Sequence, residues 1–590
     1  MIQLKLEIAL ACGALAIGLL LQGPRAAWRE LREALRSMGQ REWLALAGAA
    51  LLLGGMALLA LGPREGLRQL VSAGIGTAAF MGLWLATLRL PEVARLVRAA
   101  ASTPSWVPAV VAASAALLAQ QAVLGNVPHI SDEVAYQFQA RAYAQGQLGF
   151  VPPAHFAFFE FIHTTVSGGL WYGIMNPGWP LMLAPAYALG VPFLVNPLLA
   201  GATLPLFHGF LLRAGAGRLA AGLSVWALAL SPFVLFMAGT YMAHTAGLFL
   251  FALFLWGWIR VWRDADWLGA FSAGGALALG LAVRPVDAAA VALPFGLALA
   301  VRAIRHPRWL PTLLAIGLVG STGALGTLAY NRAVTGDPLV FPQTQYFEER
   351  FPGQSFGLGF GPEMGSKVHG PEWPGYAPSD APRVTSQRSV EWLRNLWGLP
   401  WLTAALILWG LGIRGASLPQ WLLGASALSL LAIFLAHFYH GIAYGSRHYF
   451  LAVPAAALML GGALSQGLAA DSATRRRTGA AVLGVVLYMI TFATPPLVIE
   501  YGDAYRMASS SLRRAVADAE LDQALVFVAS EQWGWKSGFP LNEYPLGRAP
   551  VLYAQDRGEE NATLRAAYPE RRAWLATRHG DDSVSLDALP

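Results

Sequence analysis

The chain has 590 residues, 56% of them hydrophobic and only 13% charged, which excludes a soluble globular protein, since no single core could hide that much apolar surface, and points to a membrane protein. The formal charge of +7 does not argue for nucleic acid as a partner, because the arginines stand singly between apolar runs, where they set topology. The lone Cys12 excludes a disulfide framework and any cysteine-based metal site.

The first apolar run continues into "GPRAAWRELREALRSMGQR" without a small-residue cleavage site, so it is expected to be a retained helix and not a removed signal peptide. At about 20 apolar residues per crossing, roughly fourteen spans are predicted. They lie near 4–22, 43–62, 70–88, 107–125, 192–212, 219–239, 245–260, 268–284, 286–302, 310–330, 396–413, 421–438, 449–468 and 479–498. Alternate loops each carry arginine: 23–42, 89–106, 213–218, 261–267, 303–309, the turn at Arg414, and 469–478. The positive-inside rule places this set in the cytoplasm. The opposite set holds two long segments, 126–191 and 331–395, and the tail after Glu500, rich in Pro, Gly, Trp, Tyr and His. Long polar segments on one side of a membrane protein are where function is expected. In the tail, "ALVFVA" (524–529), "PVLYAQD" (550–556) and "RAWLA" (572–576) read as strands of a small α/β domain outside the membrane.

Chemistry concentrates on that outer face. In "PHISDEVAYQFQARAYAQGQL" (128–148), Ser131 is expected to cap a helix with Asp132 and Glu133 in its first turn and Gly146 at its end. Two acids there suit the helix dipole. They also sit where low dielectric raises a carboxyl pKa and makes a base. The following "GFVPPAHFAFFEFIHTTVSGGLWYGIMNPGWP" (149–180) is either an interfacial aromatic belt or a sugar- and lipid-facing loop. Arg284 and Asp287, in "GLAVRPVDAAA", break the positive-inside trend; they form either a local ion pair or a functional site. In "HFYHGIAYGSRHYF" (437–450), His437 and His440 have metal-like spacing but no completing carboxylate. Arg447 suits phosphate, which a guanidinium binds through two parallel hydrogen bonds. His244, in "GTYMAHTAG", is a lone histidine at another outer helix end, where packing is the usual role. No Walker, G-x-S-x-G or H-E-x-x-H motif is present.

Taken in order, "SDEVAYQFQARAYAQGQL", "NPGWPLMLAPAYALG", "SPFVLFMAGTYMAHTAG", "LAVRPVDAA", "YNRAVTGDP", "LGFG" and "YGSRHYFLAVP" resemble the type C (GT-C) membrane glycosyltransferases. The likeness is to bacterial relatives of protein O-mannosyltransferases and of the lipid A aminoarabinose transferase, over roughly residues 107–500. Two departures stand out: three helices precede the one before Asp132, and "KVHGPEW" replaces a more usual His-Thr-Pro-like element, leaving His369 without a role. The resemblance implies a GT-C-like all-α polytopic fold, to which the strand-like runs after 500 add a small α/β C-terminal domain. Its parts would be three additional N-terminal helices (1–106), a GT-C-like module (107–499) and an extracytoplasmic domain (500–590). It implies an inverting sugar transfer from a polyprenyl-phosphate donor to a lipid, glycan or protein acceptor, on the periplasmic face of a bacterial inner membrane. Asp132 and Glu133 would be the catalytic pair; which of them is the base stays open, Asp132 being able to take the acceptor proton with Glu133 holding the acceptor or tuning the pair. Arg447, Arg284 and His448 would bind the donor phosphate; Tyr136, His155, His163, Tyr172, His244 and Asp287 would contact substrate. Some relatives use a divalent metal such as Mg or Mn, and the cofactor stays open. The rival expectations are a lipid-linked sugar flippase, for which charged broken helices near the midplane are missing, and a non-catalytic envelope assembly protein.

Overall fold

A computed structural model of the chain describes residues 2–365, 374–411, 415–529, 535–580 and 582–590, with side chains from residue 10 onward. His369 and Arg414 lie outside the described residues.

The described residues form a multi-pass helical membrane protein. Nine helices are long and apolar enough to cross a bilayer, or up to eleven when each of two bent helix pairs is taken as one span. Among the described residues, each of the fourteen expected segments falls mainly on helix. The difference in count comes from three features. Expected spans 43–62 and 70–88 form one 48-residue helix, Gln40–Thr87, kinked at Gly62 (φ 75°) before Pro63. Spans 4–22 and 219–239 belong to the bent pairs. The segments at 268–284 and 396–413 are shorter apolar helices, Trp267–Val283 and Pro400–Leu411.

Small residues let the helices close up. On Gly257 a Cβ would stand 2.6 Å from the carbonyl oxygen of Gly269, and the reverse holds equally. Phe207, Trp258, Phe295, Leu423 and Tyr449 belong to the main core, and Trp258 Nε1 donates to Phe295 O at 3.0 Å. The arginine loops meet at one end of the bundle, where Arg476 and Arg477 pair with Glu30, Arg477 also with Glu33, and Arg213 with Asp264.

At the other end lie the long segments. Residues 126–191 contribute the helix Ser131–Ala144 and an antiparallel hairpin of β1 (Thr164–Ser167) and β2 (Leu170–Gly173). The tail contains β3 (Ala524–Ala529), β4 (Val551–Asp556), β5 (Arg572–Arg578) and β6 (Val584–Ala588) in the order β4-β3-β5-β6. Strand β3 runs parallel to β4 and β5, with β6 antiparallel at the edge. The three expected strands are present; β6, the five-residue run VSLDA, was not expected.

The tail is seated on the first long segment through a shared apolar core that joins Val134, Phe138 and Trp171 to Phe527, Phe539 and Leu552. Polar bonds frame that core: Arg141 donates to the carbonyls of Pro540 and Asn542 at 2.6 Å each, and Trp535 Nε1 to Glu160 O at 2.9 Å.

Candidate active site

The Ser131–Ala144 helix begins one residue earlier than its sequence suggests. Ile130 is the cap, so Asp132 and Glu133 occupy the second and third helical positions. The reason lies in Glu133: its Oε1 accepts from Ile130 N at 3.2 Å, satisfying an amide that a serine cap would have left open. Glu133 Oε2 accepts from Tyr241 N at 2.8 Å, and Tyr444 Oη donates to Oε1 at 3.2 Å. Completely buried, Glu133 ties the helix start to two other segments and does not line the cavity.

Asp132 does. It opens onto a cavity of about 600 Å³ at this end of the bundle, together with Tyr136, His163, Arg284, Asp287, Arg447 and His448. Arg447 Nη1 lies 3.5 Å from Asp132 Oδ2, and His163 Nδ1 lies 3.3 Å from Oδ1. Arg284 occupies the break between the helices Trp267–Val283 and Pro285–Arg305, where its Nε donates to Asp287 Oδ2 at 2.5 Å. The local ion pair, one of the two sequence readings, is present, and both residues also line the cavity. Tyr136 stands one turn beyond Asp132 on the same helix face. His448 packs tilted on Phe434 with ring centroids 4.6 Å apart, and neither of its ring nitrogens has a hydrogen-bond partner.

The two adjacent acids titrate in opposite directions. Burial pushes the Asp132 carboxyl up, but Arg447 and His163, with Arg284 farther off, outweigh it and hold the group well below the usual carboxylate range. Burial lifts Glu133 to about 7 against the hydrogen bonds from Tyr241, Ile130 and Tyr444. The low-dielectric increase expected for a base thus falls on the acid that faces away from the cavity, and the cavity-facing acid is ionised by its cations.

Three expected substrate contacts lie elsewhere. His155 precedes the short Phe156–Phe158 turn, half-buried and away from the cavity. Tyr172 is fully buried on β2 with its hydroxyl 3.5 Å from Gln345 Oε1. His244 begins a spanning helix and packs edge-on against Phe450, its two nitrogens without hydrogen-bond partners. Aromatic density and lone histidines mark this face of the protein in sequence; they do not say which side chain turns inward.

The donor set does not suit a divalent cation. Asp132 faces Arg447 and His163, Asp287 is bonded to Arg284, and no group of three or more His, Cys, Asp or Glu able to hold a metal occurs among the described residues. His437 Nδ1 is bonded to Gly357 O at 3.1 Å, and His440 Nδ1 accepts from Ile442 N at 3.0 Å, so the His-x-x-His spacing is used for loop structure.

No family profile and no curated protein matches the chain. Among solved structures it is similar to ArnT from Cupriavidus metallidurans, in a structure bound to undecaprenyl phosphate, at 13% identity over 80% of this chain and 92% of that one, with a TM-score of 0.45. The same protein in its apo state gives 14% identity, the same coverage and a TM-score of 0.47. The apo oligosaccharyltransferase of Archaeoglobus fulgidus gives 11% identity, coverage of 80% and 69%, and a TM-score of 0.40.

Sequence reasoning missed part of that cavity. Its wall includes His129, Tyr346, His437, Tyr439, Arg506 and Lys536. His437 and Tyr439 stand in a motif already singled out; Tyr346 approaches His163, whose amide donates to its hydroxyl at 3.5 Å. Lys536 lies some four hundred residues from Asp132 in sequence and carries no motif. Composition alone sets it apart: the chain has only three lysines, at 5, 367 and 536, against 38 arginines.

Proposed function

We propose that the protein is an integral-membrane glycosyltransferase that moves a sugar from a polyprenyl-phosphate donor to an acceptor hydroxyl. The observation that carries this reading is the pairing of Asp132 with Arg447, beside Arg284, on the wall of a cavity of about 600 Å³. A lone carboxylate base would need no such arginines; a leaving phosphate does.

In the transfer, the acceptor oxygen attacks the anomeric carbon as the bond from that carbon to the phosphate oxygen breaks. The phosphate leaves with the electron pair, and Asp132 takes the acceptor proton. The configuration inverts. Arg447 has two functions in this scheme. Unliganded, it holds Asp132 ionised; once the donor phosphate engages its guanidinium, the hold on Asp132 weakens and the carboxylate becomes a stronger base. Arg284, oriented by Asp287, adds positive charge where charge grows on the phosphate. Glu133 does no chemistry here and fixes the helix from which Asp132 projects. No step requires a metal.

The site and the tail would face the periplasm of a bacterial inner membrane, opposite the arginine loops, with a lipid, glycan or protein as acceptor. The test is a reconstitution in lipid nanodiscs with labelled polyprenyl-phosphate sugars and an envelope extract. Wild-type protein should release polyprenyl phosphate and label an extract component, and Arg447→Gln should not. Lipid movement across vesicles without any transfer would replace this reading with a flippase.

A further inference from the structure

The tail domain reaches the cavity through Lys536. This residue is the second of the short helix Trp535–Gly538, is 1% exposed, and lines the same cavity as Asp132 and Arg447. Its Nζ donates to the carbonyl oxygen of His129 at 3.2 Å, three residues before Asp132. The His129 side chain is held by the tail as well, with Nε2 2.8 Å from Asp503 O and Nδ1 3.1 Å from the Tyr444 hydroxyl, which also bonds Glu133. Tail and catalytic helix are therefore joined at the residues that set Asp132 in place. Arg506, also from the tail, lines the cavity and donates to Ile442 O at 3.2 Å.

Taking an ammonium out of water is costly at a domain joint. A surface joint between domains would not need one, and Arg141 already makes such a joint through backbone carbonyls. An ammonium on the cavity wall, with a rim arginine from the same domain, suits an anionic ligand. Resting on the transferase reading above, we propose that Lys536 is a substrate-binding residue supplied by the C-terminal domain, contacting the phosphate of the polyprenyl-phosphate ligand alongside Arg447.

The environment makes this contact sensitive to pH. Burial and Arg506 pull the Lys536 ammonium down to about 7, while Glu133 and Asp132, on the helix packed against it, pull it up. The remaining charged groups on the cavity wall are Arg284, Asp287 and Arg447, with His129, His163, His437 and His448 as the titratable imidazoles. Affinity for phosphate should then decline as pH rises through about 7, as Lys536 loses its proton.

The test measures binding of undecaprenyl phosphate to the full-length protein in nanodiscs, for wild type, Lys536→Met, Lys536→Arg and Arg447→Gln, between pH 6 and 9. Folding of each variant is checked by its thermal midpoint. Expected are a loss of affinity of about tenfold or more in Lys536→Met at pH 6.5, with recovery in Lys536→Arg. The wild type should weaken toward pH 9 relative to Lys536→Met, which carries the same ligand titration without the lysine. If Lys536→Met binds like wild type at every pH while Arg447→Gln is impaired, the role of Lys536 is overturned and the transferase reading stands. If neither substitution changes affinity, both fall.

Discussion

Replacing Asp132 by Asn changes charge at the centre of the site and almost nothing else. The Asp132–Arg447 separation of 3.5 Å corresponds to a gross Coulomb attraction of about 5 kcal/mol at an effective dielectric of about 20. Desolvation of both ions offsets most of it, leaving a net contribution of about 1 kcal/mol. That attraction no longer restrains Arg447 in Asp132→Asn, so undecaprenyl phosphate should bind about three- to tenfold more tightly. Turnover should move the other way. Loss of a general base costs about 10² to 10⁴ in rate, or about 3–5 kcal/mol of barrier. The assay pairs single-turnover release of polyprenyl phosphate with equilibrium binding on one nanodisc preparation. Turnover within about fivefold of wild type refutes Asp132 as base. A loss of binding that parallels the loss of rate refutes the competition between carboxylate and phosphate for Arg447.

Other expectations follow from the supports of the site. Glu133, raised from its ordinary 4.5 to about 7, holds a proton in the folded protein that the unfolded chain has released. Its contribution is fully present below about 4.5 and lost as pH rises through about 7, a change of order 3 kcal/mol. The unfolding midpoint in detergent should thus fall between pH 5 and 8, and Glu133→Gln should flatten that slope; an unchanged slope removes the assignment. Arg388, fully buried, donates to the carbonyls of Phe434, His437 and Tyr439 at 2.5, 2.6 and 2.7 Å. Arg388→Met should orphan them at about 1–3 kcal/mol each, and hydrogen exchange across residues 434–440 should rise well before that of the spanning helices. At Gly178 a Cβ would stand 2.6 Å from Ala282 C and 2.7 Å from Val283 N, backbone atoms just before Arg284. Gly178→Ala should displace Arg284 and lower turnover by about tenfold to a hundredfold with helix content unchanged by circular dichroism.

The site was legible in sequence where chemistry is local. Asp132, Arg284 and Arg447 each break a pattern: paired acids at an apolar edge, an arginine against the topology trend, an arginine among aromatics on the outer side. All three reach the cavity. Glu133 shares the same local signal as Asp132, yet successive helical residues point about 100° apart, so one acid meets the cavity and its neighbour the packed interior. The direction of each titration was beyond local reading for the same reason, since it depends on whether Arg447 or Tyr241 is the neighbour.

What linear order settled is the membrane class, the helical segments, the strands near 524–529, 550–556 and 572–576, and the arginine loops, because apolar length and alternation act within about twenty residues. Assembly settled the rest. It turned His155, Tyr172 and His244 away from the cavity, made the Arg284–Asp287 pair part of its wall, and carried Lys536 from the tail to the carbonyl of His129. Those outcomes depend on which helix and domain faces meet. Such pairings are fixed by packing across hundreds of residues, where no spacing in the chain records them.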